Sequence, residues 1–189
     1  MREKIGKITL DDTCYSGSDL YSDGPVEEEL LEIAKSCHTP EEYNQVIAER
    51  KSWPVMYHFS HIRGNIVSWL PITKEDKVLE IGAGCGAITG ALAKKAGSVT
   101  CVELSRQRSL VNAYRNEDCD NVTILLGAFE EVWKRRWRRS TITSPSSASS
   151  SMRPAIRTTR IPLVICFSWW SAIWLRAERS SLPSRTVWA

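Results

Sequence analysis

"KVLEIGAGCGAITGALAKKAGSVTCVEL", residues 77–104, decides the fold. It opens on the apolar run "KVLEIG" (77–82) and turns through Gly82, Gly84 and Gly86. "AITGALAKKAG" (87–97) then reads as a helix closed by Gly97, and "SVTCVEL" (98–104) as a second strand ending at an acid, Glu103. Strand, glycine turn, helix, strand is one right-handed parallel crossover. "SRQRSLVNAYRNE" (105–117) and "NVTILLGAF" (121–129) repeat the alternation with a second helix and a third strand. The expectation is an α/β protein: a Rossmann-like, doubly wound parallel sheet, incomplete, preceded by N-terminal helices.

The glycine turn carries chemistry as well as a change of direction. Glycine there permits positive φ and lets a ligand approach the backbone without a Cβ in the way. Free N–H groups at a helix start favour an anion or carboxylate. Glu103 stands 21 residues after Gly82, at the end of the second strand, where a carboxylate can accept hydrogen bonds from both hydroxyls of a ribose. Gly82-x-Gly84-x-x-Ala87 also satisfies the dinucleotide fingerprint, so on the glycines alone NAD or FAD stays open. Two features point elsewhere. Glu80 puts an acid on the strand just before the turn, where a cationic amino group can be met, and Gly86 adds a third close approach at alternate spacing.

Together, Glu80-x-Gly82-x-Gly84-x-Gly86 resembles motif I of the class I S-adenosylmethionine-dependent methyltransferases. "CVEL" (101–104) resembles their ribose-binding acidic motif and "NVTILLGAF" their third strand, so the resemblance covers roughly residues 53–132. It implies S-adenosyl-L-methionine as cofactor. Gly82, Ala83, Gly84 and Gly86 would line its methionine and ribose side, Glu80 would sit near its amino acid end, and Glu103 with Leu104 would hold the ribose. Members of the class often carry an acid or amide after the third strand to meet the adenine amino group. This chain has Ala128 there, which leaves adenine to backbone groups and Phe129. No residue is singled out as catalytic.

Upstream, residues 1–24 read as a short strand-like "KIGKITL" and a loop rich in Asp, Ser and Gly. "PVEEELLEIAKSC" (25–37) has the spacing of an amphipathic helix. "TPEEYNQVIAERK" (39–51) opens with a helix start: Thr39 as cap, Pro40 in the first turn, Glu42 three residues on. "MYHFSHIRGNIVSWL" (56–70) reads as a third helix weakened at Gly64 and ended by Pro71. Trp53, Tyr57 and Trp69 at helical spacing are expected in the core, and His58, His61 and Arg63 in surface or packing roles.

A break in composition follows. Residues 1–132 hold 14 Lys and Arg against 21 Asp and Glu, a net of −7. Residues 133–189 hold 11 Lys and Arg against the single acid Glu178, a net of +10, and six of the eight Trp. One core does not change composition so abruptly. Three segments are expected: an N-terminal helical extension over 1–70, the first half of the methyltransferase domain over 71–132, and a basic Ser/Trp/Arg-rich tail over 133–189. The tail is expected to be poorly ordered, with no continuation of the sheet. The genetic code gives it an origin. Reading the third base of each codon with the first two of the next, Ser140–Arg153 admits the fourth strand of the same class. Pro162–Ala189 admits its next helix, an L-x-P-G-G turn and its fifth strand. The tail therefore reads as coding sequence shifted in frame near Val132–Trp133, and weak cofactor binding without methyl transfer is expected of this chain.

The six Cys form no zinc or disulfide spacing. Residues 1–30 lack a signal-peptide pattern, and "IPLVICFSWWSAIWL" (161–175) is too short for a membrane span. A cytoplasmic protein without metal or membrane partner is expected. The methyl acceptor stays open among a small molecule, a saccharide and RNA, with RNA disfavoured by the acidic residues 1–132. Competing functions are a dinucleotide-dependent Rossmann enzyme and a non-catalytic nucleic-acid binder using the basic tail, "KRRWRR" (134–139) included.

Overall fold

The computed structural model describes residues 1–19, 24–136, 163–168, 171–175 and 187–188. The chain begins with a hairpin, β1 (Arg2–Ile5) and β2 (Ile8–Cys14), followed by α1 (Pro25–Ser36), α2 (Pro40–Arg50) and α3 (Trp53–Phe59). A single 3-10 turn (His61–Gly64) leads to the short α4 (Asn65–Ser68). The alternating segment then gives β3 (Lys77–Ile81), α5 (Thr89–Lys95), β4 (Ser98–Glu103), α6 (Arg106–Arg115) and β5 (Val122–Gly127). After it come α7 (Phe129–Arg136) and the strands β6 (Leu163–Ser168), β7 (Ser171–Leu175) and β8 (Val187–Trp188).

Among the described residues these strands form one sheet in the order β1-β2-β5-β4-β3-β6-β7-β8. The β2–β5, β5–β4, β4–β3 and β3–β6 pairs are parallel, whereas β1, β7 and β8 run antiparallel to their neighbours. The central strands are apolar on both faces because both faces are covered. Val78, Val99, Cys101, Val122, Ile124 and Leu126 pack in the larger cluster with Ile88, Leu92 and Ala113. On the opposite face Leu79, Val102 and Leu125 meet Val132 of α7. A third cluster joins α1, α2 and α3 to α6, through Leu30, Tyr43, Val55, Phe59 and Val111, and takes in Cys85 of the glycine turn.

The strand and helix order expected for residues 77–129 holds. Thr39 and Glu42 form the expected capping box of α2, with Glu42 N donating to Thr39 Oγ1 (3.2 Å) and Thr39 N to the Glu42 carboxylate (3.0 Å). Three expectations are corrected. The first residues, read as one short strand-like stretch and a loop, form a hairpin: β1 and β2 join the sheet edge, with Ile8 and Leu10 buried and Thr9 to Asp11 in register with Thr123 to Leu125. The expected third helix breaks at Ser60 rather than at Gly64. The sheet also continues into the tail: Leu163–Ser168 pairs parallel with β3 at Val78 to Ile81, and β7 and β8 follow it antiparallel. Its sequence, "LVICFS", is an uninterrupted apolar run, and β3 offers it an open row of backbone donors and acceptors. The Ser-rich stretch 140–152 lies outside the described residues.

Candidate functional site

The C-terminal ends of β3, β4 and β5 point to one edge of the sheet, where ligands bind in open α/β folds. There Gly82 N and Ala83 N donate to Val102 O (2.9 and 3.3 Å), so the turn leaving β3 is bound across to β4. Gly84 N then donates to Glu103 Oε2 at 2.7 Å. The other carboxylate oxygen of Glu103 accepts from Leu104 N (2.8 Å) and Ser105 N (3.0 Å). A carboxylate has about four acceptor positions; among the described residues three are filled, and one on Oε2 is not.

The glycines of the turn do different work. Gly84 has φ +54°, and a Cβ there would meet no atom within 4 Å, so its missing side chain leaves open space above the turn. Gly86 has φ +72°, and a Cβ there would collide with Asn112 Oδ1 and Asn116 Nδ2 of α6. The missing side chain of Gly86 therefore makes room for α6. Ala83 is buried behind the turn.

Glu80 departs from expectation. The spacing predicts a carboxylate that meets a cationic amino group, yet Glu80 is 1 % exposed. On a strand, residues two apart share a face; Glu80 shares the face of Val78, which α5 and α6 cover. Its Oε2 accepts from Thr89 Oγ1 (2.7 Å) and Cys101 Sγ (3.3 Å). Asn112 Nδ2 donates to Thr89 Oγ1 (3.1 Å), and Asn116 Nδ2 to Asn112 Oδ1 (2.9 Å) and Gly86 O (3.3 Å). Burial pushes the Glu80 carboxyl up to about 7 against the opposing pull of the Thr89 and Cys101 hydrogen bonds. Burial also drives the Cys101 thiol well above its ordinary value, which keeps it a donor. This chain of side chains ties β3, β4, α5 and α6 together under the turn.

At the end of β5, Ala128 is exposed and its carbonyl starts α7 by accepting from Glu131 N (3.1 Å) and Val132 N (3.0 Å). Phe129 packs against the Leu79, Val102, Leu125 and Val132 cluster, with its ring 5.7 Å from that of Trp133. The structure thus brings Gly82, Ala83, Gly84, Glu103 and Leu104 together at one corner, with Glu80 and Gly86 beneath it.

Sequence reasoning missed two features near this corner. Asp19, from the loop after β2, accepts from Arg106 N (2.7 Å) and Gln107 N (3.2 Å) at the start of α6. Nothing in its local pattern marks it, because its partners lie 87 and 88 residues away. The other is an aromatic surface. Trp53 is 63 % and Trp69 68 % exposed, with Met56, Tyr57, Ile62 and Ile66 exposed between them, contrary to the core reading. Trp53 stacks on Tyr57 (4.7 Å), and the Arg63 guanidinium lies 4.1 Å from the Tyr57 ring centre.

The strand order β5-β4-β3-β6, the glycine turn and the acid at the end of β4 define the class I S-adenosylmethionine-dependent methyltransferase fold. More narrowly, residues 60–129 match the family model for ribosomal RNA adenine dimethylase. Ribosomal RNA small subunit methyltransferase A of Borreliella burgdorferi is 33% identical over 89 residues, 47% of this chain and 32% of that protein. The enzyme of the same name from Leuconostoc mesenteroides is 43% identical over 61 residues, 32% of this chain and 21% of that protein. The chain thus spans about a third or less of the length of these relatives. A solved phosphoethanolamine N-methyltransferase from Haemonchus contortus, in complex with phosphoethanolamine and S-adenosylhomocysteine, superposes with a TM-score of 0.36 at 20% identity. It covers 57% of this chain and 22% of that one. No helix of the described residues is long and apolar enough to cross a membrane, and no group of three or more potential metal ligands occurs among them.

Proposed function

We propose that Gly82–Gly86 and Glu103 form the S-adenosylmethionine site of a methyltransferase, and that the acceptor of its parent enzyme is a base in RNA. The observation that carries the cofactor reading is the Gly84–Glu103 hydrogen bond of 2.7 Å, with one carboxylate position on Oε2 unused and no atom over Gly84 among the described residues. S-adenosylmethionine, when bound, supplies a methyl group activated by its sulfonium. Glu103 accepts from the ribose, Gly84 admits the ligand to the backbone, and the Glu80–Thr89–Asn112 chain holds both in place from below.

Two observations support the RNA reading. The relatives carry ribosomal RNA in their names. Although residues 1–132 are acidic as a whole, the run from Arg50 to Lys74 contains no Asp or Glu. The exposed Trp53, Tyr57 and Trp69 lie on that run, beside Arg63, His58 and His61. Aromatic faces interleaved with cations are the surface that unstacked bases take. Val55 and Phe59, from the same run, pack in the cluster that includes Cys85 of the glycine turn.

Residues 133–189 are, in this proposal, methyltransferase coding sequence read out of frame. Transfer depends on holding donor and acceptor in near-attack geometry, and the in-frame fourth strand of the class, whose end would border the transferred methyl group, belongs to the sequence lost after Val132. This chain accordingly binds cofactor weakly and does not turn over. Restoring the frame after Val132 and titrating S-adenosylhomocysteine and NADH tests the account. The restored protein is expected to bind the first, ignore the second and methylate small-subunit ribosomal RNA. Preference for NADH overturns the cofactor reading; methylation of a saccharide or small molecule alone overturns the RNA reading.

A further inference from the structure

The loop that follows β2 has a route fixed by the sheet. β2 lies parallel to β5 and β5 to β4, so all three end on the edge that carries the glycine turn. Leaving β2 at Cys14, the chain crosses the end of β5 to reach β4, and there Asp19 meets the start of α6. Its Oδ1 accepts from Arg106 N (2.7 Å) and Tyr15 Oη (2.9 Å). Its Oδ2 accepts from Gln107 N (3.2 Å) and Ser105 Oγ (3.3 Å).

Ser105 is the cap residue of α6, and its own side chain accepts from Arg108 N (3.3 Å). Its backbone N–H is one of the two donors that fix Glu103 Oε1. The contacts therefore run without a gap from Asp19 through Ser105 to Glu103 and Gly84. The first N–H groups of α6 are all used within the protein: two by Asp19, one by Ser105 Oγ. A carboxylate at a helix start is favoured by the helix dipole. Burial works against the Asp19 charge, but donors from Arg106, Tyr15, Gln107 and Ser105 outweigh it, so its pKa is lowered.

We propose that Asp19 is a positioning residue for the cofactor's ribose: from outside the methyltransferase-like segment, it sets the Glu103–Ser105 corner so that Oε2 faces the glycine turn. This rests on the cofactor reading above. Residues 15–19 thereby belong to the binding site in function, although they lie more than 60 residues from the glycine turn in sequence.

The test is titration of the full chain with S-adenosylhomocysteine to millimolar concentration, read by the amide NMR shifts of Gly84 and Leu104. Asp19→Ala is expected to weaken binding about five- to tenfold. Asp19→Asn, which keeps one acceptor oxygen and the fold, should lie between. In a Glu103→Gln background the Asp19→Ala loss should shrink below about twofold, since the two residues act through one path. An equal loss in both backgrounds means general destabilisation and overturns the proposal, as does unchanged affinity in Asp19→Asn and Asp19→Ala. If the unaltered chain shows no shift at Gly84 or Leu104, and its frame-restored form none either, the cofactor reading falls and takes this proposal with it.

Discussion

Gly84 donates its backbone N–H to Glu103 Oε2 at 2.7 Å, joining the turn after one strand to the acid that ends the next. The two residues come from separate arms of a crossover, and the bond sets the distance between them before any ligand arrives. Gly84→Ala tests the relationship from the turn side. An alanine there meets no neighbour but must adopt φ +54°, which costs about 1–2 kcal/mol. The expected result is a modest loss in denaturant midpoint with a larger loss of S-adenosylhomocysteine binding, because the new methyl occupies the ligand's space.

Gly86→Ala should do the reverse. Its Cβ would run into Asn112 and Asn116, whose side chains are fixed by Thr89 and Gly86 O. A loss of roughly 2–4 kcal/mol in unfolding free energy is expected, from overpacking added to the positive φ. Urea denaturation of the two glycine variants side by side shows whether packing and ligand approach divide between them in this way.

Glu80 makes stability depend on pH in an uncommon direction. Its folded pKa, about 7, lies above the ordinary carboxyl value of 4.5, so the folded state holds a proton that the unfolded chain has released. Stability tied to this group is full below about pH 4.5, declines as pH rises and has been lost above about 7. Glu80→Gln, neutral at every pH, should match the parent at pH 5 and exceed it at pH 8 by roughly 2–3 kcal/mol. Thermal melts across that range would show otherwise if the parent were the more stable protein at pH 8.

Thr39→Ala removes the cap of α2 and deprives the Glu42 backbone N–H of its side-chain acceptor. About 1 kcal/mol of stability should go. Cofactor titration should not change, since Thr39 and Glu42 are exposed and their mutual hydrogen bonds lie away from the glycine turn and Glu103.

The central crossover was legible because its strands are buried on both faces and its turn demands glycine. Continuous apolar runs broken by Gly82, Gly84 and Gly86 admit few other readings. Glu103 was legible for the same reason: it ends a strand at a fixed distance from the turn. The side of the strand that Glu80 occupies was not read, although the two-residue period places it with Val78 under α5. The full β1–β2 hairpin is obscured by Asp11, Asp12 and Thr13, polar residues that interrupt the apolar pattern of β2 although that strand is paired on both sides. Asp11 is held there by Arg2 Nε (3.0 Å) and Thr13 N (3.1 Å). Trp53 and Trp69 misled in the other direction, since helical spacing of aromatics signals burial in general. Here the buried face of α3 is taken by Val55 and Phe59. Leu163–Ser168 was obscured by its Ser- and Trp-rich surroundings; its own six residues carry a strand pattern.

The most direct test of the central claim is calorimetric titration of S-adenosylhomocysteine into three proteins: this chain, the chain with its frame restored after Val132, and the restored chain carrying Glu103→Ala. Binding by this chain should be no tighter than about 10⁻⁴ M, binding by the restored chain at least about tenfold tighter, and most of that gain should be lost in Glu103→Ala. Equal affinity in the first two proteins, or none in the restored one, would contradict it.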